Sequence, residues 1–151
     1  MIRQARLGDL EAIEAIVRDA FSVYLPRMDR PPGPMLSDYR AHIERSEAFV
    51  LEENGRTLGL SVMFPGQGHL LLDLVAVAPS AQGKGVGRRL VAHAIEQARL
   101  HGQPEVRLYT NEAMHETLPF YRSLGFVETN RILESGYRRV YMTKPVGEPP
   151  P

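Results

Sequence analysis

Residues 75 to 90 read Val75-Ala76-Val77-Ala78-Pro79-Ser80-Ala81-Gln82-Gly83-Lys84-Gly85-Val86-Gly87-Arg88-Arg89-Leu90. An apolar run stops at Pro79, and a glycine-rich turn then opens an amphipathic helix. Glycines at alternate positions (Gly83, Gly85, Gly87) let backbone N–H groups turn inward with no Cβ in the way, while Lys84, Arg88 and Arg89 add positive charge. A helix N-terminus leaves N–H groups without intrahelical acceptors and carries about half a positive charge, so this turn suits a phosphate.

The spacing excludes two common phosphate binders. A P-loop needs Lys-Ser or Lys-Thr after its last glycine, and Lys84 is followed by Gly85. A dinucleotide fingerprint needs a third glycine where Arg88 stands. What fits is Gln-x-x-Gly-x-Gly, read as Gln82, Gly85 and Gly87, directly after a strand.

That strand is His69 to Ala78, almost continuously apolar (Leu70, Leu71, Leu72, Leu74, Val75, Val77), which predicts a central strand buried on both faces. Upstream of it, Ala48–Glu52 and Thr57–Phe64 are β-rich and separated by Glu53-Asn54-Gly55-Arg56, a hairpin signal. Ile2 to Ala5 reads as a short first strand, and Leu10, Ile13, Ile16, Val17, Ala20 and Phe21 share one helical face. The prolines between Leu25 and Met35 predict a stiff loop. Leu36 to Arg45 reads as a second helix with Ser37 as its N-cap.

Downstream, Leu90, Val91, Ala94, Ile95 and Ala98 form a helical stripe ended near Gly102 and Pro104. Val106–Thr110 reads as a strand. Thr117–Leu124 reads as a helix whose first turn tolerates Pro119 and which Gly125 closes. Phe126–Thr129 and Arg138–Thr143 complete the sheet, with a turn at Glu134-Ser135-Gly136. Strands mixed with helices in this order predict a mixed α/β sandwich, with a sheet of six or seven strands and about four helices. One domain over 1–145 is expected, with 146–151 as a loose tail.

The chain has 151 residues, the usual size of one domain, with 43% apolar and 24% charged residues and a net charge of zero. Nothing global points to nucleic acid or anionic lipid. No run approaches the roughly 20 apolar residues of a membrane span, and no signal-peptide pattern opens the chain, so a cytoplasmic location is expected. Cysteine is absent, which removes disulfides, thiolate nucleophiles and Cys-based zinc sites. The histidines (His42, His69, His93, His101, His115) have no i, i+4 pair, so no metal is expected. There is no Gly-x-Ser-x-Gly elbow either. Arg131, Arg138 and Arg139 alternate with acids and tyrosines and read as a solvated strand face rather than a nucleic-acid surface.

A second cluster, Leu118-Pro119-Phe120-Tyr121-Arg122-Ser123-Leu124-Gly125-Phe126, follows the glycine turn. With Gln82, Gly85 and Gly87 ahead of an aromatic-Tyr pair and Leu-Gly-Phe, the chain resembles the GNAT family of acetyl-CoA-dependent N-acyltransferases, specifically over residues 70 to 126. The resemblance implies that Gln82, Gly83, Lys84, Gly85, Val86, Gly87 and Arg88 hold the acetyl-CoA pyrophosphate. It implies that main-chain groups of Val75, Ala76 and Val77 bond the pantetheine arm. Tyr121 maps onto the family tyrosine that faces the thioester sulfur and protonates the departing thiolate, a role open to a phenol protonated at neutral pH. Many members carry an Asn seven residues before that tyrosine, where this chain has Met114. Asn111 is the nearest substitute, either contacting the pantetheine arm or capping the following segment.

The acceptor amine must lose a proton. That costs roughly 4 to 5 kcal/mol at pH 7 for an amine of pKa about 10.4, and about 1 to 1.5 for an α-amino group. Asp73, unusual inside an apolar run, is the leading candidate base, with His69, Glu112 and His115 behind it. Without a cysteine, direct transfer to a small-molecule or peptide amine is expected. The alternatives are an acyl-CoA-binding sensor domain that acylates nothing, or a nucleotide-binding domain. Tyr24, the loop Pro26 to Pro34, Tyr39 and His42 are expected along the acceptor wall, and a homodimer is possible.

Overall fold

The apolar run before the glycine turn is a strand, Leu70–Val77, the fourth of seven in one mixed sheet. The computed structural model describes residues 1–147. In chain order the elements are β1 (Ile2–Gln4), α1 (Leu10–Phe21), α2 (Tyr39–Glu44), β2 (Ala48–Glu53), β3 (Arg56–Pro65) and β4 (Leu70–Val77). They continue with α3 (Val86–Leu100), β5 (Glu105–Asn111), α4 (Thr117–Ser123), β6 (Val127–Glu134) and β7 (Tyr137–Pro145). The strand order is β1-β2-β3-β4-β5-β7-β6, with four helices flanking the sheet. The expected mixed architecture is what forms.

The residues group into two compact units, Met1–Met63 with Leu74–His93, and Phe64–Asp73 with the chain from Ala94 onward. In the first unit β1, β2 and β3 pair antiparallel. The β2–β3 turn places Asn54 at φ 52° and Gly55 at φ 75°, the two positive φ values of a type I′ turn. Helix α1 buries Ile13, Ile16 and Val17 on the face expected from their spacing. Asp9, just ahead of it, accepts from the Arg6 N–H at 2.7 Å and from Arg3 Nη1 and Nη2 at 2.8 and 3.0 Å. That pairing holds the Asp9 carboxyl below its usual range.

Three expectations need correction, two in this unit and one along β4, whose residues divide between the units. Helix α2 is capped by Asp38, whose carboxylate accepts from the Ala41 N–H at 3.1 Å. The proposed cap, Ser37, is instead extended and turns its hydroxyl back toward Gly33 O. The proline segment is not a plain loop, because 3-10 turns form over Ser22–Arg27 and Gly33–Leu36, where proline's fixed φ is compatible with a tight turn. Strand β4 is central, yet only Leu70, Leu72, Leu74 and Ala76 are buried, while Leu71, Asp73, Val75 and Val77 are half-buried. One face of this strand therefore stays partly open.

In the second unit β5 pairs parallel to β4 over Leu70–Leu72 and Val106–Leu108, and antiparallel to β7, which pairs with β6. Its core is Leu72, Val106, Leu108, Phe126, Val140 and Met142, all at most 2% exposed. The β6–β7 arms are longer than their sequence suggests, and Ser135 (φ 52°) with Gly136 (φ 80°) makes a second type I′ turn. Val146 is buried and its N–H donates to Pro104 O at 3.0 Å. Val146 falls in the loose tail expected over 146–151, of which residues 148–151 lie outside the described residues.

Candidate active site

After β4, a 3-10 turn over Pro79–Ala81 leads into Gln82, which is extended, and then into the glycines. Gly83 and Gly85 take φ values of 78° and 79°, a region that costs an L side chain roughly 1–2 kcal/mol. Gly87 lies in the first turn of α3 instead, so two of the three alternating glycines answer a backbone requirement. The first helical hydrogen bond of α3 runs from the Arg89 N–H to Gly85 O at 3.1 Å. The N–H groups of Val86, Gly87 and Arg88 lie ahead of it. Gln82, Gly83, Lys84, Gly85 and Arg88 are exposed, whereas Ala81, Val86 and Leu90 are buried and fasten the turn to the sheet. Arg89 pairs with Glu53 at 2.5 Å, which lowers the Glu53 pKa.

A residue that sequence reasoning passed over sets this turn's position. Gly59 of β3 would, with a Cβ, stand 2.9 Å from Ala76 O, 2.9 Å from Val86 Cγ1 and 3.1 Å from Leu90 Cδ1. Only a glycine lets β3, the end of β4 and the start of α3 approach this closely. A lone glycine in a β-rich run gives no local sign of that packing. Beyond Leu72, the last residue of β4 registered with β5, the strand continues through Val75, Ala76 and Val77.

In the second unit, Tyr121 lies on α4, half-buried, with its ring 5.0 Å from Phe120 and 5.8 Å from Phe126, both in T-shaped contact. Phe126 is 1% exposed and serves as a fixed backstop. Gly125 (φ 95°) turns the chain out of α4, and Lys144 Nζ donates to Leu124 O at 2.6 Å at the same helix end. Asn111 is buried, and its Oδ1 accepts from the Ala113 N–H at 2.8 Å. Of its two expected roles, capping is the one this contact fills.

Asp73 is half-buried and accepts from the Tyr109 hydroxyl at 2.8 Å. Burial foremost, then the Asp73 charge and this hydrogen bond, push the Tyr109 pKa well above the usual phenol range, so Tyr109 stays a neutral donor. The other candidate bases are engaged elsewhere. His69 Nδ1 lies 3.0 Å from Gln67 O in the β3–β4 connection, Glu112 pairs with Arg131 at 3.2 Å, and exposed His115 pairs with Glu116 at 3.3 Å. Among the described residues no cluster of His, Cys, Asp or Glu is arranged to hold a metal, and no helix is long and apolar enough to cross a membrane.

The reading of Arg139 as part of a solvated face is overturned. Its side chain is 23% exposed, with its guanidinium carbon 4.5 Å from the Tyr109 ring centre and 5.7 Å from that of Tyr137. Glu134 accepts from Arg139 Nη1 at 3.1 Å and also from the Tyr141 hydroxyl. Those contacts lower the Glu134 pKa, the Tyr141 bond contributing most. The β5–β7 register sets Tyr109 opposite Tyr141, with ring centres 5.6 Å apart. Tyr141 also borders a cavity of about 280 Å³ that includes Arg107, Asn130 and Thr143.

Comparison with known proteins identifies the family. The peptidyl-lysine N-acetyltransferase YjaB of Escherichia coli (strain K12) is 30% identical over 86% of this chain and 84% of its own length. The L-amino acid N-acyltransferase MnaT of the same organism is 34% identical over 58% of this chain, a match that spans 54% of MnaT. In three dimensions, the PaiA N-acetyltransferase of Thermoplasma acidophilum, solved in complex with coenzyme A, superposes with a TM-score of 0.78 at 19% identity. That superposition covers 96% of this chain and 98% of the other. Residues 10–126 match the model of the acetyltransferase (GNAT) family, and the chain belongs to that family.

Proposed function

We propose that this protein is an acetyl-CoA-dependent N-acetyltransferase that moves the acetyl group directly to a primary amine of a small molecule or peptide. The family uses acetyl-CoA, and the observation that carries the reading is the turn ahead of α3. Two left-handed glycines and three N–H groups at the mouth of a 15-residue helix, with exposed Lys84 and Arg88 beside them, fit a diphosphate. In the reaction the amine nitrogen attacks the thioester carbonyl carbon. A C–N bond forms and the C–S bond breaks. The amine's proton passes to Asp73, directly or through water, and the CoA thiolate takes the phenolic proton of Tyr121. Tyr121 between two fixed aromatic rings and Asp73 held by Tyr109 are in keeping with these roles. The names of MnaT and YjaB, which specify amino acids and peptidyl lysines, favour an amine acceptor.

The test is free-CoA release against a panel of amines. Tyr121→Phe is expected to lower kcat by roughly 10²- to 10⁴-fold while the acetyl-CoA-induced thermal shift persists. Unchanged turnover would remove Tyr121 from the mechanism. Tight acetyl-CoA binding without turnover of any amine would leave a sensor domain of the same fold.

A further inference from the structure

Asp73 and Arg139 both contact one tyrosine, the carboxylate at its hydroxyl and the guanidinium over its ring. The Tyr109 hydroxyl donates to Asp73 at 2.8 Å, and the Arg139 guanidinium lies 4.5 Å over the same ring. A carboxylate and a cation therefore border the same phenol, both half out of water. Arg139 is held against two tyrosine faces and anchored by Glu134 through Nη1. Its guanidinium carries five N–H donors in a planar fork, so the Glu134 contact does not exhaust it. Burial alone would lower the Arg139 pKa, but Glu134 and the neighbouring tyrosines outweigh it and the net direction is up. The charge is permanent.

This arrangement selects among amines. An ammonium brought to Asp73 finds the Arg139 guanidinium beside the same ring, its charge offset in part by Glu134 at 3.1 Å but with N–H donors beyond that contact. A second positive charge on the acceptor gains nothing from that guanidinium. A carboxylate a few bonds from the amine does gain from it, because a guanidinium edge receives a carboxylate through paired hydrogen bonds. The aromatic faces of Tyr109 and Tyr137 that otherwise attract a cationic acceptor are already taken by Arg139.

We propose that the acceptor is an amine bearing its own carboxylate two or three bonds away, a free α-amino acid being the simplest case, with the ammonium at Asp73 and the carboxylate on Arg139. This inference rests on the acetyltransferase reading above and on Asp73 as its base.

The experiment compares L-amino acids with their carboxamides and with a small polyamine, by free-CoA release. Wild-type protein is expected to favour the acid over its matched amide by about tenfold or more in kcat/KM, in line with loss of a charge-assisted hydrogen bond, and to turn over the polyamine poorly. In Arg139→Gln the acid-to-amide ratio falls to about one, and Arg139→Lys restores part of it. Asp73→Asn lowers acid and amide together and leaves the ratio standing. A persisting acetyl-CoA thermal shift shows that each variant is folded, and if Arg139→Gln fails to fold, the wild-type ratio decides. Amides or the polyamine used as well as the acids by wild type, or a ratio that survives Arg139→Gln, overturns the inference and leaves the acetyltransferase reading intact. No CoA release with any amine defeats both.

Discussion

Replacing Gly59 by alanine tests whether the glycine turn is positioned by close packing of backbone on helix. The new Cβ meets Ala76 O and Val86 Cγ1 at 2.9 Å each and Leu90 Cδ1 at 3.1 Å. The carbonyl belongs to a central strand and cannot rotate aside. Val86 and Leu90 are 3% and 0% exposed, so neither side chain has room to retreat, and α3 must lift. Overpacking of this kind costs about 1–3 kcal/mol. Lower backbone entropy of the unfolded chain offsets roughly 0.5–1 kcal/mol. The net loss is then about 1–2 kcal/mol, or a fall in Tm of about 2–8 °C for a chain of this size. Equilibrium urea unfolding followed by circular dichroism reads it as a lower midpoint at constant slope. Gly8→Ala is the control: a Cβ there meets nothing within 4 Å, and its midpoint is expected to stay within about 0.5 kcal/mol of wild type. Because Val86 is the first residue of α3, Gly59→Ala is also expected to weaken acetyl-CoA binding. A Gly59→Ala protein as stable as wild type would refute the reasoning.

Two further outcomes follow from the backbone and from burial. Gly85→Ala adds no steric contact, since nothing lies within 4 Å of its Cβ, but its φ of 79° is expected to cost about 1–2 kcal/mol. Gly87→Ala, inside α3, is expected to cost nothing or to stabilise by up to about 1 kcal/mol; equal effects in thermal melts would refute the assignment of left-handed strain to the turn. His93, half-buried on α3 with its ring 4.9 Å from that of Phe49, has its pKa lowered by burial. Below the unfolded value of about 6.5 the unfolded chain takes up a proton that the folded chain refuses. The stability present above that pH is therefore lost as pH falls toward the folded value. Urea midpoints from pH 7.5 to 5 measure it, and an undiminished slope in His93→Gln would assign the dependence to another group.

What could be read before the structure was the part of the chain whose geometry is local. Proline after an apolar run, alternating glycines and a 3.6-residue apolar stripe all act within a few residues of themselves, and the turn ahead of α3 follows from them directly. The Asn54-Gly55 and Ser135-Gly136 hairpins are legible for the same reason. Ser37 and Asp38 are both good caps one residue apart, and only the entry angle of the chain into α2 chooses between them. The even burial expected of β4 failed because an apolar run does not say what covers each face.

Gly59 and Arg139 were hidden for a deeper reason. The importance of Gly59 depends on where α3, some thirty residues later, passes over β3, and no local pattern marks a glycine for a helix not yet placed. Arg139 follows Arg138 in a segment of charged residues and tyrosines, which reads as a solvated strand. Its burial arises only once β7 pairs with β5 and Tyr109 comes to face Tyr141, a contact across the intervening α4 and β6. The donor half of this chemistry is therefore written in consecutive residues, and the acceptor half in strand register. This difference explains why family motifs identify acetyl-CoA readily and say little about the amine. On the proposal made above, acceptor specificity is set on the face shared by Asp73, Tyr109 and Arg139, where one strand substitution changes the charge presented to the incoming amine without touching the glycine turn.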